Sequence, residues 1–241
     1  VASVGMGFPG SVDNRRGMVI KTVNIPIRFM PVAEIFHRRW DVPVHLGNDA
    51  DCAALGEYYH YGEKLESLIL VTLGTGIGTG IILHGKIQSG CNGFGGEGGH
   101  IVIVHGGELC TCGRRGCWER YASATALRTA ASGLDPALTN GHAIFQRLDE
   151  PEVRTVVNAW LDQVAAGAVS LIHVFNIPCV VLGGGVMEQP YAIQGAQARI
   201  EKLLIPGFRG VRVVGAALGN MAGLYGAAQQ VCKTEFGVDL E

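Results

Sequence analysis

Three cysteines and a histidine crowded into one short stretch constrain this chain more than any other feature: His100, Cys110, Cys112 and Cys117, with Gly113 and Gly116 between the last two cysteines. Those glycines allow the tight turns that would bring three thiolates and an imidazole around one ion. One nitrogen and three sulfurs suit tetrahedral zinc, and a site with four protein ligands is coordinatively full, so zinc here would pin the loop rather than activate water. Free buried thiols and a redox pair are the other readings of such cysteines, and the Cys-x-Cys and Cys-x4-Cys spacings favour zinc. Seven cysteines is an odd number, which fits a metal site in a reducing compartment, and hence a cytoplasmic protein, better than a disulfide scaffold. Cys52, Cys91, Cys179 and Cys232 show no partner spacing and read as small core residues.

Two acids flank this loop, Glu97 just before His100 and Glu119 just after Cys117. If zinc closes the loop, both carboxylates are held near one place. A sugar presents neighbouring hydroxyls, and rigid carboxylates accept their protons with strict geometry, so this pair suits hexose recognition. Solvated surface charge is the plainer alternative for both.

A chain of 241 residues buries a substantial core as one large domain or two lobes, and two lobes are the expectation. With 48% hydrophobic and 17% charged residues it is globular, neither a disordered tail nor a coiled coil. The net charge is −2 and basic residues run no further than pairs, so nothing here is built to hold a nucleic-acid backbone. The longest apolar stretches, such as Leu68 to Leu73, are strand-length and predict no membrane span. The first residues carry no basic leader, and without an initiator Met the chain is expected to begin inside a longer protein.

Short β-rich runs alternate with helical ones, which predicts an α/β fold. The strands are Val1 to Gly5, Val44 to Leu46, Ser67 to Leu73, Ile77 to Leu83, Cys179 to Leu182 and Val211 to Val214. The helices are Pro31 to Trp40, Ala50 to Tyr61, Ala122 to Ala131, Glu152 to Phe175, Tyr191 to Leu204 and Met221 to Cys232. In the longest, Val156, Val157, Trp160, Leu161, Val164, Ala168 and Leu171 recur at helical spacing as one core-facing stripe. Many of the 36 glycines fall directly after a strand, where backbone N–H groups can converge on a phosphate and a following helix adds its positive end.

Three such places carry chemistry. Leu46-Gly47-Asn48-Asp49-Ala50 is a strand end running into an Ala-rich helix. Asp49 there is either an N-cap or a general base that accepts a sugar hydroxyl proton during attack on a γ-phosphoryl group, with Asn48 orienting the same sugar. Leu73-Gly74-Thr75-Gly76-Ile77 lacks a Walker lysine and a following helix, and fits a β-hairpin whose Gly74, Thr75 and Gly76 contact ATP phosphates. Gly183, Gly184 and Gly185 either let adenosine lie close on the backbone or form an ordinary strand-to-helix turn.

Taken together these residues resemble the ROK family, bacterial sugar kinases and repressors with an actin-like fold. The resemblance runs through Gly7-Phe8-Pro9-Gly10-Ser11, Gly47-Asn48-Asp49-Ala50, Leu73-Gly74-Thr75-Gly76 and Gly96-Glu97-Gly98-Gly99-His100. It continues through Cys110-Thr111-Cys112-Gly113-Arg114-Arg115-Gly116-Cys117-Trp118-Glu119 and Leu182-Gly183-Gly184-Gly185-Val186, in the family's order and approximate spacing.

The resemblance implies a two-lobed fold of the actin-like, hexokinase type (ribonuclease H-like). It divides the chain into residues 1–47 for the remainder of a small lobe, 48–219 for a large lobe carrying sugar, nucleotide and zinc, and 220–241 for a helix returning to the small lobe. It implies that Asp49 is the catalytic base, and that Asn48, Glu97, His100 and Glu119 contact the sugar while Gly10 and Ser11 close over it. His100 would then serve both zinc and sugar, Gly74, Thr75 and Gly76 would hold phosphate, and Gly183, Gly184 and Gly185 would border adenosine. ATP, Mg²⁺ and structural Zn²⁺ follow as cofactors, a hexose or N-acetylhexosamine as the phosphoryl acceptor through its 6-hydroxyl, and a homodimer as the assembly, with two lobes closing to exclude water. One departure is that family kinases open with an Asp-x-Gly-Gly-Thr phosphate loop absent from this sequence, expected to lie before Val1. The alternatives are a sugar-sensing repressor whose DNA-binding segment precedes Val1, and a sugar binder without catalysis.

Overall fold

A computed structural model describes residues 2–22, 25–61 and 65–238. Strands β1 (Val4–Phe8), β2 (Ser11–Asp13), β3 (Met18–Lys21) and β4 (Arg28–Met30) lead to helix α1 (Val32–Trp40), strand β5 (Val44–Asn48) and helix α2 (Asp49–Tyr61). Strands β6 (Leu68–Leu73), β7 (Ile77–Leu83) and β8 (Lys86–Ile87) follow, then helices α3 (Glu119–Ala122), α4 (Ala124–Leu134), α5 (Gly141–Gln146) and α6 (Pro151–Phe175). Strand β9 (Cys179–Gly183), helix α7 (Pro190–Leu203), strand β10 (Arg212–Gly215) and helix α8 (Ala222–Val231) complete the order.

Two compact units interleave along the chain, so neither is a single run of sequence. Unit 1 comprises Val1–Leu70, Thr79–Gly96 and Ala217–Glu241, and unit 2 comprises Val71–Gly78 and Glu97–Ala216. In unit 1, β1 and β5 pair in parallel, and β2, β3 and β4 form an antiparallel meander. Val12, Val19, Val32 and Leu46 form its buried cluster, with Met6, Phe8, Met30 and Phe36 packed against it. Helices α2 and α8 lie nearly backbone to backbone: a Cβ on Gly226 would stand 1.7 Å from the carbonyl oxygen of Cys52, so only glycine permits this contact. Glu57 is fully buried on α2, and its two carboxylate oxygens accept from the backbone N–H groups of Ala217 and Leu218, each at 2.9 Å, which compensates its burial.

In unit 2, β9 and β10 pair in parallel with Val180 opposite Val213, and β9 is buried along its whole length, as a central strand requires. Strands β6 and β7 run through both units, joined by the three residues 74–76, which restricts them to an antiparallel hairpin. Helix α6 is long and apolar enough to cross a membrane by length and composition alone. Its apolar residues are instead core: Val157, Leu161, Val164 and Ala168 are fully buried in the protein.

Five of the six predicted helices fall within a residue of their limits, whereas the one read as Ala122 to Ala131 runs from Ala124 to Leu134. Strands β2, β3 and β4 were not anticipated, because each has three or four residues and only Val12 and Val19 are buried, too few to reveal a period of two. Part of the predicted Val1 to Gly5 strand falls on Val1, outside the described residues. Cys52 and Cys179 are buried as expected, but Cys91 is exposed, sitting in the glycine-rich turn after β8.

Candidate functional site

In unit 1 the strand-to-helix junction divides two tasks between adjacent residues. Asn48 ends β5, and its Oδ1 accepts from the backbone N–H groups of Ala50 at 2.8 Å and Asp51 at 3.2 Å, the second and third residues of α2. That is the bonding of an N-cap, so the capping task belongs to Asn48. Asp49 is the first residue of the helix, solvent-exposed, with its Oδ1 also accepting from the Ala50 N–H at 2.9 Å. The protein packed beneath its carboxyl raises its pKa above the ordinary aspartate value, opposed by the N–H groups of Ala50 and of Asp49 itself. A carboxylate that is accessible yet more basic than usual can accept a hydroxyl proton.

The other end of the Asn48 amide reaches back along the chain. Its Nδ2 donates to the Gly10 carbonyl at 2.9 Å. Gly10 has φ +102°, and a Cβ there would meet the Lys21 carbonyl oxygen at 2.4 Å, so the turn into β2 requires glycine. Gly10, Ser11, Asn48 and Asp49 are therefore brought together within unit 1. Beneath them, burial, with added repulsion from Asp51 and Asp49, pushes the Cys52 thiol up to about 12, so it stays neutral and inert.

Unit 2 holds the histidine and cysteine cluster. The ligand-capable atoms of His100, Cys110, Cys112 and Cys117 lie within 4.8 Å of one another. Cys112 and Cys117 sulfurs are 3.6 Å apart, and Cys110 Sγ is 3.7 Å from His100 Nδ1. A tetrahedral zinc with ordinary bond lengths needs edges of about 3.8 Å between sulfurs and about 3.6 Å between sulfur and nitrogen. The residues fit the ion. Gly113 and Gly116 adopt φ +88° and +81°, and the turn is closed by the Gly113 N–H on the Cys110 carbonyl at 2.9 Å and the Cys110 N–H on the Arg114 carbonyl at 2.8 Å. The Arg114 N–H lowers the Cys112 thiol to about 7, toward the thiolate a metal requires, whereas burial raises the Cys110 and Cys117 thiols.

Glu97 and Glu119 flank the cluster as the sequence suggested. His100 Nδ1 faces the sulfurs, whereas its Nε2 is 3.9 Å from Glu97. Glu119 Oε1 accepts from Cys110 Sγ at 3.0 Å, and the Glu119 side chain is 15% exposed against 55% for Glu97. Trp118 sets Glu119 in place: it is fully buried, its indole N–H donates to the Gln163 carbonyl at 2.8 Å, and its ring lies on Gly167 of α6. This anchor was not identified from sequence, where a tryptophan between Cys117 and Glu119 was the available signal.

The glycine segments meet the same group of residues. Gly74 N–H donates to the Gly76 carbonyl at 3.0 Å, and Gly74 and Thr75 are exposed at the hairpin tip. The Gly74 carbonyl accepts from the Ala124 N–H at 3.0 Å, fixing the tip to the start of α4. A Cβ on Gly76 would stand 2.6 Å from Glu119 Oε2, so the tip lies against that carboxylate. Gly183 ends β9, and Gly184 packs on the Leu73 carbonyl, so its segment lies beside the end of β6. Gly10, Ser11, Asn48 and Asp49 thus form one group in unit 1, and the remaining predicted residues form another in unit 2.

Known proteins resemble this chain along most of its length. The sequence model of the ROK family matches residues 1–234. A glucokinase of Thermotoga maritima is 33% identical over 245 residues, covering 93% of this chain and 77% of that protein. The crystal structure of a ROK family glucokinase from Streptomyces griseus, in complex with glucose and AMPPNP, matches with a TM-score of 0.85 at 33% identity, over 95% of this chain and 81% of that one. A xylose repressor of Caldicellulosiruptor bescii is 28% identical over 200 residues, 76% of this chain but 50% of that protein. The α/β fold with mixed sheets is that of ROK sugar kinase structures, of the actin-like, hexokinase type.

Proposed function

The chain belongs to the ROK family, and from that premise we propose that it is an ATP-dependent sugar kinase that phosphorylates a hexose, with glucose first among the candidates and the 6-hydroxyl as nucleophile. The observation that carries this reading is the division of labour at the start of α2: Asn48 caps the helix, leaving the raised, accessible Asp49 carboxylate for proton transfer. Asp49 takes the hydroxyl proton as the sugar oxygen bonds to the γ-phosphorus; the bond from that phosphorus to the bridging oxygen breaks, and ADP leaves. Glu97, Glu119 and His100 Nε2 hold the other hydroxyls, with Gly10 and Ser11 closing over the ring. Gly74, Thr75 and Gly76 hold the ATP phosphates, and Gly183, Gly184 and Gly185 border the adenosine. Mg²⁺, when bound with ATP, neutralises charge developing on the phosphates.

Zinc belongs to the same proposal. His100 Nδ1 with Cys110, Cys112 and Cys117 would hold it, and the four-ligand set makes its role structural. The loop it closes ends in Glu119, so the metal holds a sugar contact in position without touching the reaction.

A second reading, a sugar-sensing repressor, is favoured by one observation: the likeness to a xylose repressor covers most of this chain. Sugar-dependent ADP release separates the two, measured on the full gene product with Mg-ATP and a panel of hexoses and N-acetylhexosamines. Release with one sugar assigns reaction and substrate together. Silence across a panel whose members still bind would transfer the assignment to a regulator or a non-catalytic sugar binder.

A further inference from the structure

A cavity of about 960 Å³ lies wholly within unit 1, at the upper end of the range for small-molecule sites. It shares Asn48 with the group described above, but neither Asp49 nor Gly10 nor Ser11 lines it. Its charge is opposite to that of the chain. Arg15, Arg16, Lys86 and Lys233 line it against the carboxylates of Asp13 and Asp51, an excess of cations in a protein of net charge −2. Arg16 lies 3.6 Å from Asp13, whereas Arg15 and Lys86 have no ion-pair partner among the described residues.

Arg15, Arg16 and Lys86 stand on hydrogen-bonded turns. Arg15 and Arg16 occupy the turn between β2 and β3, closed by the Gly17 N–H on the Asn14 carbonyl at 3.3 Å and held to α1 by the Ala33 N–H on the Gly17 carbonyl at 3.0 Å. Lys86 follows the β7–β8 turn, where the His84 N–H donates to Ser67 Oγ at 3.0 Å and the Gly85 N–H to the Glu66 carbonyl at 3.0 Å. A third wall is the loop at Gly93, which sits so close to β2 that a Cβ would be 2.8 Å from the Val12 carbonyl oxygen. Guanidinium forks on a rigid turn match phosphate oxygens, and the amides of Asn14 and Asn92 suit hydroxyls.

We propose that this cavity is a second ligand site, outside the reaction centre, that binds a sugar phosphate: an ester carrying both the dianion and the hydroxyls that its lining matches. The ligand class rests on the kinase reading, since such an ester is the product that reading requires, and occupancy beside Asn48 gives the product a route to act on the start of α2. The short cationic turns favour a small ester over a polyanion such as nucleic acid, which needs an extended basic surface.

Isothermal titration of glucose 6-phosphate into the full chain, without ATP, tests the site independently of turnover. Binding should weaken as salt rises, fall roughly tenfold or more in Arg15→Glu combined with Lys86→Glu, and survive in Glu119→Gln. Because charge reversal can disturb folding, Arg15→Ala with Lys86→Ala serves as the milder pair, each variant checked for an unchanged melting temperature. Absence of binding, loss in Glu119→Gln with retention in the Arg15 and Lys86 variants, or equally tight binding of inorganic phosphate would each overturn the proposal. Failure of the kinase reading appears instead as absent ADP release, which leaves the titration unaffected.

Discussion

One side-chain amide ties two segments together: Asn48 Nδ2 donates to the Gly10 carbonyl at 2.9 Å, while its Oδ1 caps α2. The two functions separate by substitution. Asn48→Ala should lose both the cap, worth about 1 kcal/mol, and the tether, worth about another 1 kcal/mol. Asn48→Asp keeps an oxygen for the cap and loses only the donor to Gly10. Urea unfolding should therefore rank wild type above Asp above Ala. An Asp variant as stable as wild type would mean that the tether contributes nothing to stability.

Asp49 carries a prediction in pH. A general base must be ionised, and burial raises its pKa, so activity should be lost on acidification at a pH above the titration range of a free aspartate, near ~4. For stability the sign is opposite: a carboxyl raised in the folded state stabilises the fold when protonated, and that contribution disappears as pH rises through the raised value. Asp49→Asn should lower kcat by about 10²-fold or more with sugar affinity little changed, read by coupled ADP assay and sugar titration. Normal turnover in this variant would remove Asp49 from the base role.

The zinc loop predicts coupling between metal and sugar. Cys112→Ser removes one of the four ligands, and with it the closure that holds His100 and Glu119. Metal analysis should show stoichiometric zinc in the wild type and depletion in the variant, and sugar affinity should fall in parallel. Sugar binding that stays intact after zinc is lost would uncouple the two and leave Trp118, locked on Gly167, as the element that positions Glu119.

What could be read from the residues alone follows from physical scale. Helix α6 repeats apolar residues over several turns, so its extent was legible, and the cysteine spacing with its two glycines exposed a turn that the positive φ values of Gly113 and Gly116 now explain. The β2–β4 meander was not legible, because its burial is concentrated in Val12 and Val19. Asp49 alone was ambiguous between cap and base, since both tasks ask for a carboxylate at a helix start. Only the position of the Asn48 Oδ1 against Ala50 and Asp51 assigns the cap. The cationic cavity was beyond sequence because Arg15, Lys86 and Lys233 are far apart along the chain and meet only in the fold.

The glycines after β9 offer a test that separates folding from nucleotide binding. Gly184 has φ 98° and ψ 151°, backbone that is essentially confined to glycine, and a Cβ there would stand 2.2 Å from the Leu73 carbonyl oxygen. Gly185 has open space around its missing side chain. Gly184→Ala should therefore destabilise by about 3 kcal/mol, whereas Gly185→Ala should change stability by no more than about 1 kcal/mol. If adenosine lies against this segment, the added methyl at Gly185 occupies the space that the nucleotide needs, so Mg-ATP affinity should fall in a protein that melts normally. Gly185→Ala with unchanged Mg-ATP affinity would leave these glycines as a strand-to-helix turn and nothing more.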